Sequence, residues 1–185
     1  MKKILFSLAL ILLVLPVTPT QSICETQEYI LIQVAYRYFS LIKNKQYYFA
    51  SELFHYPEHY SKEELIDDKN SVSNMLELIT SELGEILDKK ILQKPVDYYN
   101  IVVYGGDIQY WGQHTFSVRL EFEVIFKNEG KGYLIIYFCN LSDKWEFSKV
   151  AYGLPASKPS SKKRLLEISK KLFHIIHNST KKNNL

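Results

Sequence analysis

Between positions 28 and 43 apolar side chains return at Leu31, Val34, Ala35, Tyr38, Leu41 and Ile42. Steps of three and four keep them on one face of a helix, so the spacing predicts a first amphipathic helix. A second, short helix is expected over 45–54. It stops ahead of Pro57, because proline pushes the residue before it out of the helical region. Ser61-Lys62-Glu63-Glu64 has the form of a capping box, in which the Ser61 hydroxyl accepts a backbone amide and Glu64 reaches back. Beyond it Val72, Leu76, Ile79, Leu83 and Ile86 form a stripe. A third, longer helix is predicted over 71–87.

After Pro95 the period falls to two. Phe116, Val118, Leu120, Phe122, Val124 and Phe126 alternate with Thr115, Ser117, Arg119, Glu121 and Glu123, the pattern of a strand with one buried and one wet face. Phe116, Val118, Leu120, Phe122 and Val124 are therefore expected to face the helices. A turn at 127–132, with Gly130 and Gly132 able to take positive φ, leads to a returning strand over 133–139. A turn at 140–144 leads to a further strand over 145–152. An earlier strand over 100–111 is interrupted by Gly105-Gly106, which suits a bulge or sharp bend. Helices first and strands after predict an α+β fold, with N-terminal helices packed on a curved antiparallel meander, since neither layer buries its own apolar side alone.

The ends of the chain behave differently. Lys2 and Lys3 precede an apolar run over 4–15, closed by Pro16 and Pro19. That is the form of a secretory signal peptide, too short to span a bilayer. Thr20 and Ser22 supply the small residues of a cleavage site, so a mature chain is expected from about Ile23. Cys24 stands where a lipidated cysteine would, but Gln21 and Ile23 depart from such a signal, and lipidation is not expected. The division predicted is 1–22 signal peptide, 23–156 α+β domain and 157–185 basic helical tail. The domain is long enough for one hydrophobic core. Export to the periplasm or beyond would allow Cys24 and Cys139 to form a disulfide; Cys139 as a small buried hydrophobe is the other reading.

The tail carries eight basic side chains against Glu167 alone, while the body over 23–156 carries 13 basic and 19 acidic ones. A nearly neutral chain is thus strongly polarised. Within the tail Leu165, Ile168, Leu172 and Ile175 form a stripe, Ser160 or Ser161 can cap the helix, and Pro155 and Pro159 mark the linker before it. Such a helix can dock on its own acidic body, or serve a membrane surface or a protein partner. Nucleic acid is not an expected partner, because the aromatic residues lie in the strands rather than among the lysines.

Four stretches carry a family resemblance: ELFHYP after the second helix, SELGEI at the end of the third, the long strand SVRLEFEVIF and the terminal strand KWEFSKVAYG. In that order, over most of 25–153, the chain resembles the NTF2-like (cystatin-like α+β cone) superfamily, and within it small exported bacterial members of unassigned role. The resemblance implies a strongly bent sheet wrapping helices around a cone, which members use for catalysis, for binding or merely fill.

Two function classes follow. One is an exported, non-catalytic binding or interaction module working through its cone or tail. The alternative is a small-molecule enzyme of isomerase or dehydratase type acting in the cone. Tyr104, Trp111, Tyr137 and Trp145 are the candidates for lining a site for a small apolar ligand, because such rings offer apolar faces and a polar tip. The same rings would equally serve to fill a core. Enzymes similar to ketosteroid isomerase place an aspartate deep in the cone, and Asp107, near Tyr104 and Tyr110 beside the bent strand, is the catalytic candidate. Asp97, His114 and Asp143 sit among turn residues, where carboxylates are solvated. His55 and His59 are four apart, but Pro57 breaks the helix that would align them for a metal, and His174 and His177 have no acidic or thiol neighbour. No metal and no cofactor is expected.

Overall fold

The computed structural model describes residues 19–94, 96–105, 118–140 and 144–182, with side chains at 27–94, 96–105, 118–140 and 144–174. Three helices come first: α1 (Pro19–Lys43), the short α2 (Tyr47–Ser51) and α3 (Lys62–Leu83). Five strands follow, β1 (Ile86–Ile91), β2 (Tyr98–Tyr104), β3 (Val118–Phe126), β4 (Gly130–Asn140) and β5 (Trp145–Pro155), and then helix α4 (Ser160–Lys182). The fold is α+β, with an open antiparallel sheet. Of the expected signal peptide over 1–22, residues 1–18 lie outside the described residues, as does the side chain of Cys24, and the described helices include none long and apolar enough to cross a membrane.

Helix α3 starts where the capping box puts it. Ser61 Oγ accepts from the Glu64 amide at 3.2 Å and Glu64 Oε2 accepts from the Ser61 amide at 2.8 Å. The cap extends the helix upstream of the apolar stripe, through residues whose polarity hid them. At its other end Gly84 has φ 88° and its amide bonds to Thr80 O. A side chain there would also strike Asn128, whose backbone nitrogen lies 2.7 Å from the position of a Cβ. The helix therefore ends before Ile86, which the sequence reading had placed in the helical stripe. Ile86 instead opens β1, paired with Phe126.

The sheet order is β1-β3-β4-β5-β2. β3, β4 and β5 form the expected meander, but β2 lies beyond β5 and β1 beyond β3, so two strands adjacent in sequence occupy opposite edges. Four strand spacings separate them, about 19 Å. Seven peptide steps from Ile91 to Tyr98 reach at most about 25 Å. The connection has little slack and must cross one face of the sheet. Leu92 and Val96 show which face, since both pack on Tyr133, Ile135 and Ala151. The helices take the other face.

On the helix side Phe122, Val124, Leu134, Ile136, Phe138, Phe147, Val150 and Tyr152 meet Leu31, Ala35, Tyr38 and Phe39 of α1, Leu76, Ile79 and Leu83 of α3, and Leu165, Ile168 and Leu172 of α4. The stripe of α4 is thus part of the main core; Ile175 lies outside the described side chains. Arg164 fixes the docking, its Nε donating to Glu129 Oε1 at 2.7 Å and a terminal nitrogen donating to Glu82 O at 2.8 Å. Lys171 also pairs with Glu82, and that bond above all holds the Glu82 carboxyl below its ordinary pKa. Opposite charge on tail and body is realised as contact.

Burial along β3 deepens in one direction. Phe122, Val124 and Phe126 are buried, Leu120 is half-buried, and Val118, expected inside, is exposed. Phe116 lies outside the described residues. Parity was read correctly, but Val118 stands at the strand's first residue, where cover is thinnest. Phe122→Ala should cost about 3–5 kcal/mol of unfolding free energy, whereas Val118→Ala should cost under about 1 kcal/mol. Chemical denaturation of the two variants checks the gradient; equal losses would contradict it.

Candidate functional site

Alternation along three paired strands sends Tyr137, Lys149 and Tyr104 to the face opposite the helices. Register then aligns Arg119 with Tyr137, Tyr137 with Lys149, and Lys149 with Tyr104, giving one row across β3, β4, β5 and β2. The Lys149 ammonium lies 4.4 Å from the Tyr137 ring centre and 5.7 Å from that of Tyr104. Both lie within the reach of cation–π attraction. Loss of water beneath the rings holds the Lys149 pKa below its ordinary value. Tyr104 is raised, by burial first and Tyr137 second. Tyr98, on the same face, is pushed up to about 12, chiefly by burial, and its ring lies 5.6 Å from that of Tyr133. Two of the four ring residues picked out for a ligand thus stand together, on a shelf outside the helix-covered interior.

The other two do not join them. Trp145, the first residue of β5, packs against the helix-side core. Trp111 lies outside the described residues, as do Asp107, His114 and Asp143. Cys139 is a buried free thiol. Burial first, and Glu146 second, push it up to about 12, which leaves it a thiol rather than a reactive thiolate.

Inside, rings occupy the space between sheet and helices. Phe147 meets Tyr38 at 5.4 Å, Phe138 at 5.2 Å and Phe54 at 5.6 Å, all edge to face. Phe39 meets Phe122 at 5.0 Å in the same way. The Tyr38 and Tyr152 hydroxyls, both fully buried, hydrogen-bond to each other. Two phenols meeting this way satisfy each other without water. Among the described residues, a hollow of about 430 Å³ opens between the ends of α1 and α3, lined by Lys43, Lys45, Tyr47, Glu77 and Gly84 among others.

A histidine–carboxylate pair is the one arrangement of catalytic type among the described residues. Residues 53–55 run beside β5, Phe147 donating to Leu53 O and His55 to Phe147 O, both at 2.8 Å. This sets the buried His55 ring with Nδ1 2.7 Å from Glu146 Oε2. An ionised carboxylate only accepts, so Nδ1 carries the proton. Lys144 Nζ donates to Glu146 Oε1 at 2.8 Å. Gly105 makes this approach possible, since a Cβ there would fall 2.4 Å from His55 O. The chain bends at Gly105 as expected, and the bend sits where it passes close to His55. His55 was visible in the sequence only as half of a metal spacing; its partner is 91 residues away, and no local signal marks it. Among the described residues no group of three His, Cys, Asp or Glu could hold a metal.

No protein-family model, curated protein or solved structure matches the chain.

Burial holds Tyr38, Tyr56 and Tyr152 above the ordinary tyrosine pKa. For a group whose folded pKa is raised, the stability it contributes is complete below the unfolded value and falls as pH rises past it. The tyrosine contribution to stability should therefore be flat up to pH about 10 and drop above it. Tyrosinate absorbance followed against pH together with circular dichroism should show a late fraction of tyrosines titrating only as the fold is lost. Complete titration with the fold intact would contradict this burial.

Proposed function

We propose that the chain is an exported, non-catalytic binding or interaction module on an NTF2-like α+β cone. The observation that carries this reading is the filling of the helix side of the sheet by Tyr38, Phe39, Phe122, Phe138, Phe147 and Tyr152. A cone used for chemistry needs room for a substrate beside its acid or base. Recognition is instead assigned to the face of the sheet opposite the helices, where the half-buried Tyr104–Lys149–Tyr137 row brings together two phenol rings and a cation. Such a surface suits a flat, apolar molecule with an anionic or hydrogen-bonding edge.

A second reading, a small-molecule enzyme of isomerase or dehydratase type, draws on the His55–Glu146 pair. A carboxylate that orients an imidazole is an arrangement used in general-base chemistry. Asp107 remains the catalytic candidate carried by the resemblance.

Titration with 1-anilinonaphthalene-8-sulfonate, an aromatic ring system with one anionic group, separates the two. Side-chain resonances of Tyr104, Tyr137 and Lys149 should shift, and Tyr104→Ala with Tyr137→Ala should abolish the effect. Shifts confined to Phe122, Phe147, Tyr152 and His55 would overturn the module reading in favour of a ligand in the interior.

A further inference from the structure

Helix α4 has more than one apolar face. Leu165, Ile168 and Leu172 are spent on the core. On the opposite side Lys163, Leu166, Lys170 and Phe173 recur at steps of three and four, which places them on one line of the helix surface. Lys162 adjoins them, four residues before Leu166. All five are exposed, Leu166 by 56% and Phe173 by 64% of their surface.

Charge separates the same two sides. Arg164 and Lys171, on the flanks toward the body, meet Glu82 and Glu129. Among the described residues no ion pair involves Lys162, Lys163 or Lys170. Glu82 and Glu129 are turned toward the helix's inner flank, and the helix's own acid, Glu167, is exposed with its carboxylate 3.9 Å from Arg164. The outer face therefore keeps three lysines with two large apolar side chains between them.

We propose that this outer face of α4 docks on an anionic lipid bilayer. The helix lies in the plane of the surface, Leu166 and Phe173 enter the headgroup boundary, and Lys162, Lys163 and Lys170 reach the lipid phosphates and acidic headgroups. Three features favour lipid over a protein groove. The face is convex, with its deeper apolar stripe already consumed. Its cations are all lysines, flexible point charges suited to a diffuse anionic layer, whereas the helix's arginine, suited to paired carboxylate contacts, is used internally. Long lysine stems also cover apolar surface while keeping the charge in the polar layer. The contact goes beyond the aromatic shelf and does not depend on it.

Co-sedimentation of the full chain with vesicles tests the proposal. Vesicles of phosphatidylcholine alone are compared with equal parts of phosphatidylcholine and phosphatidylglycerol. Any contribution of the apolar N-terminus is common to every variant, so the readout is the anionic-minus-neutral difference. That difference should be large for wild type and fall steeply with added salt. K162S/K163S/K170S should lower it about fivefold per lysine, about a hundredfold in all, and L166S/F173S should lower it at every salt concentration. Because these side chains are exposed, melting should be unchanged; Lys170→Glu alone serves as a second variant if it is not. Anionic-vesicle binding that is absent, or equal in wild type and variants, overturns the proposal. So does a self-associated form in sedimentation velocity that F173S dissolves while vesicle binding is unaffected, which would make the face a contact with a second copy.

Discussion

Strand β4 has no wet face over its middle. Leu134, Ile135 and Ile136 point alternately to the two sides of the sheet, yet none has any exposed surface. Such a strand is stable only if both faces are covered, since each uncovered apolar side chain forfeits the burial that holds the sheet together. The helices cover one side. On the other, the connection between β1 and β2 brings Leu92 and Val96 over Tyr133, Ile135 and Ala151. The separation of β1 and β2 to opposite edges carries their connection across this face, and among the described residues that connection supplies the cover.

The same packing bears on the proposed binding role. Edge-to-face rings and the Tyr38–Tyr152 hydroxyl pair pack the helix side, and the binding role proposed above is therefore assigned to the surface. The sheet's second face is covered near Ile135 but carries the Tyr104–Lys149–Tyr137 row at one end. Helix α4 uses one side for the core, and on its other side Leu166 and Phe173 are exposed. Its inward cations are matched by Glu82 and Glu129, which completes the docking and leaves the outward lysines with their charge.

Features written in short-range pattern were legible in the sequence. The Ser61 capping box, the α1 stripe, the alternation of β3, the turn at Gly130 and the stripe of α4 each depend on residues a few positions apart. The errors share a cause. Ile86 fitted a helical stripe by spacing, but Gly84 ends the helix and pairing with Phe126 makes it a strand residue; neither effect leaves a period in ILDKKI. Val118 had the right parity and the wrong depth, because depth depends on which elements lie above. Strand order was hidden for the same reason, being decided by contacts between distant segments. Of the candidate site, Tyr104 and Tyr137 were picked out as rings, while Lys149 between them became visible only through register. The His55–Glu146 pair, joined across the fold, had no signal to find.

Comparing Ile135→Ala with Ile136→Ala in chemical denaturation tests the two-sided cover most directly. The residues are adjacent, chemically identical and point to opposite faces, so secondary-structure propensity cancels between them. If the β1–β2 connection covers its face as the helices cover theirs, each variant should lose about 2–5 kcal/mol. A full loss for Ile136→Ala beside a loss under about 1 kcal/mol for Ile135→Ala would mean that the second face is open to water and that the crossing connection does not hold the sheet.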